Sequence, residues 1–261
     1  VYNNAVLHLQ NIGGNEEQPL TLIQREIDNL CLLSHPNIMP ILEVIEDNPT
    51  NSLILIVPYA TRGNFGDHIL LSHQQEPANI PNNIMTMKNT LVCFYQISLA
   101  LNYIHSQGYV HRYVIPTSFL VVDDLYFVLS KFKLSEKVKP DENTAKQKPK
   151  IKIKNKIQNQ PNGERLLTDI KGSPIFQSPE ACSGNPYDGK ANDLWSLGVS
   201  FYLIFFGKLP FGLSEKSQNL NSVTKALTEN SLEFPPFFFP VENEEVEKNI
   251  INVLSKLLDK N

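Results

Sequence analysis

The chain has 261 residues, 41% of them apolar, enough to bury a large core as one domain or as two lobes sharing a cleft. No run of 18 or more apolar residues occurs, and V-Y-N-N-A-V at the start lacks a basic leader pattern, so neither a membrane-spanning helix nor a secretory signal is expected. The formal charge of −4 is unevenly spread: of 23 basic and 27 acidic residues, ten and five fall between Glu136 and Lys171, a basic stretch on an acidic body.

Cys31, Cys93 and Cys182 are odd in number, far apart and without C-x-x-C spacing. That pattern excludes a disulfide framework and a zinc site, and predicts three small buried apolar residues in a reducing, intracellular and cytoplasmic setting.

Along the chain, Ala5 to Leu9 is a short apolar run. Leu22, Ile23, Glu26, Ile27, Leu30 and Leu33 then recur at three- and four-residue spacing, which predicts a helix. His35-Pro36-Asn37 ends it, because a residue before proline is pushed out of helical geometry. Strand-like runs follow at Ile38 to Ile45 and Leu53 to Val57, and the polar stretch 62 to 87 reads as a connection with a short helix. From Lys88 to Ser106, Leu91, Val92, Tyr95, Leu99 and Tyr103 predict a mostly buried helix stopped by Gly108. Phe119 to Val122 and Tyr126 to Leu129 read as strands turning at Asp123-Asp124. The lysine-rich stretch around K-P-K-I-K-I-K-N-K-I reads as a solvated loop, with pairing as an edge strand the alternative. From Ser178 onward the pattern is helical, with a buried helix at Leu194 to Phe206 and a closing one at Val246 to Leu258. Gly13-Gly14 reads as a turn.

Four pieces stand in a telling order: R-E-I-D-N-L-C-L-L-S-H-P-N-I at 25 to 38, Y-I-H-S-Q-G-Y-V-H-R at 103 to 112, G-S-P-I-F-Q-S-P-E at 172 to 180, and D-L-W-S-L-G-V-S-F-Y at 193 to 202. With them the chain resembles the serine/threonine protein kinases over essentially its whole length. G-K-L-P-F-G at 207 to 212 and the closing L-L-D-K-N resemble the calcium/calmodulin-dependent protein kinase kinase branch. The resemblance implies an α+β, bilobal protein-kinase-like fold. A truncated, β-rich N-lobe in residues 1–60 would begin near the third strand, and a larger helical C-lobe would fill 61–261. It also implies a lysine-rich insert at 136–171 in the activation segment and a missing end to the C-lobe.

Kinase chemistry needs a lysine on the ATP phosphates, a helix glutamate orienting it, a catalytic-loop aspartate for the substrate hydroxyl, and Asn and Asp ligands for magnesium. The family's V-A-I-K run corresponds to A-V-L-H-L, with Leu7 or His8 at the lysine position, and no lysine precedes Lys88. Glu26 matches the helix glutamate and is left without that partner. The catalytic loop reads H-R-Y-V-I-P-T-S: Tyr113 replaces the aspartate, Ile115 the lysine and Ser118 the metal-binding asparagine. A phenol, neutral at physiological pH, cannot match a carboxylate in accepting the substrate proton. D-F-G becomes Lys131-Phe132-Lys133, cations where magnesium needs a carboxylate. Leu7, Glu26, Val57, Ala60 and Leu120 would surround a degenerate ATP site, with Val57 guarding the adenine pocket.

The residues expected to hold the fold are retained. By resemblance, Leu30, Ile41, His111 and Phe132 form the apolar column called the regulatory spine, and Asp193 opens the long buried helix and accepts backbone hydrogen bonds from the His111-Arg112 loop. Glu180 would await an arginine beyond L-L-D-K-N. Thr144 and Thr168 lie in the activation segment, and Ser173 matches the family's substrate-positioning threonine. The expectation is a catalytically silent pseudokinase acting as a protein-binding scaffold or allosteric regulator, its partner a protein such as an active kinase. No cofactor or metal is expected. Without aromatic interleaving in the lysine-rich stretch, no nucleic-acid partner is expected either. The alternative is a serine/threonine kinase with atypical ATP binding and phosphoryl transfer, Lys131 or Lys133 contacting phosphates.

Overall fold

The computed structural model describes residues 4–6, 19–47, 52–74, 84–139, 163–214, 217, 219–241 and 243–260. Its contacts divide the chain into two compact units: residues 1–100 with 116–135, and 101–115 with 136–261.

In the first unit, β1 (Asn4–Val6), β2 (Glu43–Asp47) and β3 (Ser52–Pro58) form an antiparallel sheet in the order β1-β3-β2. Ala5 faces Val57 in the register, and Val44 faces Leu55. The strand expected from Ile38 onward starts only at Glu43. Pro40 cannot donate to a ladder, and Ile38 and Met39 are instead tied to Leu129, Met39 N–H donating to its carbonyl at 2.9 Å. Helix α1 (Pro19–Leu32) buries Ile23 and Ile27 against Leu55, with Ile41 packed on the cluster.

The same unit contains α2 (Phe65–Gln74), residues 87–100 of α3 (Met87–Ser106), and the hairpin of β5 (Phe119–Asp123) with β6 (Tyr126–Leu129). The α3 helix has the expected span, but another face is buried. Cys93, Ile97, Ala100, Leu101 and Ile104 are the interior residues, while Tyr95 is 63% exposed and Leu99 lies on its face one turn on. Asn37 crosses to the hairpin, its amide donating to the Phe127 carbonyl at 2.9 Å and to Gln96 Oε1 at 3.1 Å. Satisfying a buried amide in this way avoids a penalty of about 1–3 kcal/mol.

In the second unit, β4 (Tyr109–Val110) pairs with β7 (Glu136–Lys137), and α4 (Pro179–Cys182), α5 (Gly189–Phe206), α6 (Leu220–Glu229) and α7 (Glu244–Leu257) follow. α5 is apolar around most of its circumference, as a central helix must be. Asp188 caps it, accepting from Lys190 N–H at 2.8 Å, and Gly207, at φ 65°, ends it in the left-handed conformation. Gly198 brings α7 close: a Cβ there would stand 2.9 Å from Leu257 Cβ. Phe201 and Phe205 are fully buried, each worth about 2–3 kcal/mol in transfer from water. The stack of Trp195 on Phe211, with centroids 5.7 Å apart and planes within 6°, anchors the loop after α5.

Only Cys93 is a buried small residue of the kind expected. Cys182 is half-buried, and Cys31 is exposed on the outward side of α1. Leu7, His8, Gly13-Gly14, Thr144 and the lysine-rich run lie outside the described residues. No helix among the described residues is long and apolar enough to cross a membrane.

Candidate functional site

The residues that match the family's motifs fall in both units. In the first, α1 carries Glu26, Asn29 and Leu30. Glu26 is half-buried and its carboxylate accepts the backbone N–H of Phe132 at 2.8 Å. Burial pushes its pKa up, offset in part by that hydrogen bond and by the charge of Lys133. One turn along, the Asn29 amide donates to Ser135 Oγ at 2.7 Å and to the Ser135 carbonyl at 3.1 Å. Ser135 Oγ in turn donates to the Phe132 carbonyl at 2.5 Å. The helix thus holds both ends of the 3-10 turn Phe132–Leu134, and Phe132 is fully buried.

Lys131 precedes this turn in the left-handed conformation, φ 66° and ψ 56°, unusual for a residue with a side chain. Its ammonium donates to Thr117 Oγ1 at 2.9 Å. Burial and the neighbouring Lys133 lower its pKa, and Asp67 opposes them. Gly66 leaves room for Thr117, whose Cγ2 would be 2.5 Å from a Cβ at that position. Ser118 is buried, and its carbonyl accepts both the N–H and the hydroxyl of Ser130, at 2.9 and 3.0 Å. Leu30, Ile41, Val57, Ala60 and Leu120 are all half-buried in this unit, and Leu120 bridges to Asn64.

Magnesium is bound through oxygen ligands, carboxylates above all. An ammonium at position 131 offers only donors. Among the described residues no group of three or more His, Cys, Asp or Glu gathers to hold a metal ion. The residues present do not fit the family's magnesium.

In the second unit, Asp193 is fully buried and organises the H-R-Y loop. Oδ2 accepts His111 N–H at 2.7 Å, Oδ1 accepts Arg112 N–H at 2.8 Å, and His105 Nε2 donates to Oδ2 at 2.9 Å. Asp193 sits in the second turn of α5 rather than opening it, the capping position being Asp188. His111 Nδ1 accepts Tyr113 N–H at 3.2 Å, Tyr113 is half-buried, and Ile115 is buried with the apolar core. Arg112, at φ 65°, is buried and paired with Glu136 and Asp169. Opposite this loop Gly172 has φ 91°, and a Cβ there would stand 2.9 Å from the Arg112 carbonyl. Glu180 is exposed on α4; burial, then the Glu180 charge, pushes the Cys182 thiol up to about 11.

Asn29, Thr117, Ser135, His105, Glu136 and Asp169 escaped the sequence reading, since each acts through a partner distant in the chain. Asn29 alone left a trace, an amide among the apolar residues of α1.

A chain of this kind, with two compact units and a loop held by a buried carboxylate on a central helix, is of the protein-kinase class. The protein kinase domain family matches residues 6–261, and the chain belongs to that family. It is similar to the probable serine/threonine-protein kinase KCC4 of Saccharomyces cerevisiae, 29% identical over 99% of this chain and 20% of that protein. It is 30% identical to NUAK family SNF1-like kinase 1 of Homo sapiens over 75% of this chain and 24% of that protein. It is 31% identical to the probable serine/threonine-protein kinase MARK-A of Dictyostelium discoideum over 79% of this chain and 16% of that protein. The chain therefore spans less than a quarter of the length of these relatives.

Proposed function

We propose that this kinase domain is a pseudokinase that works by binding another protein, as a scaffold or an allosteric regulator of a partner such as an active kinase. The observation that carries the reading is Lys131 at the position where the resemblance calls for a magnesium ligand, with its ammonium on Thr117 Oγ1. Tyr113, Ile115 and Ser118 at the catalytic-loop positions support it, as does Glu26, whose carboxylate is engaged by Phe132 N–H. In this reading residues 1–60 serve as the N-lobe portion and 61–261 as the C-lobe. Leu7, Val57, Ala60 and Leu120 are remnants of an ATP site, and Leu30, Ile41, His111, Phe132, Glu180 and Asp193 keep a framework role.

The test is thermal shift with ATP, with and without magnesium, beside a phosphoryl-transfer assay on a generic substrate. No magnesium-dependent shift and no transfer are expected. Transfer abolished by Lys131→Ala or Glu26→Ala would overturn the reading.

A second reading, metal-independent nucleotide binding, is favoured by the state of Lys131, whose pKa is lowered by burial and then by the charge of Lys133, a repulsion that an anion would relieve. Titration of a fluorescent nucleotide in EDTA separates the two: saturable binding lost in Lys131→Ala supports the second, and no binding at millimolar ligand removes it.

A further inference from the structure

Arg112 is 3% exposed, and a guanidinium so buried must find counter-charges within reach. Nη1 donates to Glu136 Oε2 at 2.6 Å. Nη2 donates to Asp169 Oδ1 at 3.0 Å and to the Asp169 carbonyl at 2.7 Å. Tyr187 Oη closes the ring by donating to the same carbonyl at 2.8 Å. Nε is buried without a partner.

The two carboxylates are braced from behind. Arg165 pairs with Glu136 Oε1, and its backbone N–H donates to the Val138 carbonyl at 2.9 Å. Lys171 stands 3.4 Å from Asp169 Oδ2. Leu167 and Tyr187 exchange both backbone hydrogen bonds at 2.9 Å. Glu136 and Asp169 flank residues 140–162 in the chain, so Arg112 draws the described segments on either side of that stretch onto the H-R-Y loop.

We infer that Arg112 is an anion site closed by the chain's own carboxylates, and that residues 163–172 are held on the loop without phosphorylation or any added anion. Both terminal nitrogens, Nη1 and Nη2, are engaged by charge-assisted hydrogen bonds, the stronger kind. A phosphate on the neighbouring exposed Thr168 would find Arg112 already taken and would meet the negative charge of Asp169. The inference stands whether or not the domain transfers phosphoryl groups.

The experiment is amide hydrogen exchange on the full chain, reading 163–172 against α5, for the native protein, Asp169→Ala and the shape-keeping Asp169→Asn. Phosphatase-treated and untreated native protein should exchange alike. Asp169→Ala should exchange roughly tenfold faster over 163–172 while α5 is unchanged, with Asp169→Asn between the two. Inorganic phosphate, compared with sodium chloride at equal ionic strength, should restore protection in Asp169→Ala by filling the vacated edge of Arg112, and leave the native protein as it was. Unchanged exchange in Asp169→Ala overturns the inference. So does protection of the native protein by phosphate, which would mark an open site, and so does a loss spread through α5, which would mark a general fold defect.

Discussion

The Glu26 carboxylate accepts the backbone N–H of Phe132 at 2.8 Å, so the α1 glutamate is engaged by the chain's own K-F-K turn. In the family the matching glutamate orients a lysine. Here it pins a helix to a turn.

Because burial raises the Glu26 pKa, its ionised form is the less favoured one in the fold. The stability linked to it is full below the ordinary glutamate value of about 4.3 and is lost as pH rises through the raised value. Glu26→Gln, neutral and still able to accept from Phe132, should therefore be at least as stable as the native chain at pH 7. Glu26→Ala should lose about 1–2 kcal/mol by orphaning the Phe132 N–H. Urea unfolding at pH 7 checks both.

Asn29 and Ser135 form the second half of the same clamp, and both are buried. Asn29→Ala leaves Ser135 without its donor and should cost about 1–3 kcal/mol. The paired change Asn29→Ala with Ser135→Ala should cost less than the two singles together, since the bond from the Asn29 amide to Ser135 Oγ can be lost only once. A double-mutant cycle by denaturant unfolding measures the coupling.

Asp193 accepts two backbone N–H groups and the His105 ring inside the core. Asp193→Asn turns an amide donor toward one of those donors and should destabilise by about 3 kcal/mol. Loss of exchange protection at His111 and Arg112 should accompany the fall in Tm.

Gly172→Ala should cost about 1–3 kcal/mol, because φ 91° is foreign to a residue with a side chain and the new Cβ would press on the Arg112 carbonyl. Gly163→Ala is the control: its φ is 79° but nothing lies within 4 Å of the added Cβ, so the backbone penalty acts alone. The difference in Tm between the two reports the crowding.

Asp169 faces Arg112 and Lys171, with Glu136 beyond Arg112 and Tyr187 alongside, and the two cations hold its carboxyl below the usual value against the effect of burial. Its contribution is present above the ordinary aspartate value of about 3.9 and lost as pH falls through the depressed one. The Tm gap between the native chain and Asp169→Ala should hold steady from pH 8 to about 5 and shrink below about 4.

Local patterns were legible wherever the chain carries its own punctuation. The α1 stripe ended by Pro36, the β5-β6 hairpin around Asp123-Asp124 and the apolar α5 are all where the sequence puts them. Periodicity misled at α3, since five apolar positions at helical spacing do not reveal which face meets a neighbour; Tyr95 lies outward and Ile97 inward. The strand expected from Ile38 moved to Glu43 because Asn37 and Met39 bond with β6, a partner about 90 residues away.

By itself the sequence determined which chemical groups are present: a cation at 131, a phenol at 113, a hydroxyl at 118, and motif order enough to name the family. Side-chain identity is a local property and needs no partner to be read. Only the tertiary structure decided what those groups hold. Glu26 serves Phe132, Lys131 rests on Thr117, and Arg112 is enclosed by Glu136 and Asp169. These pairings join residues up to 106 positions apart, and only the packing of the elements brings such donors and acceptors within hydrogen-bond distance.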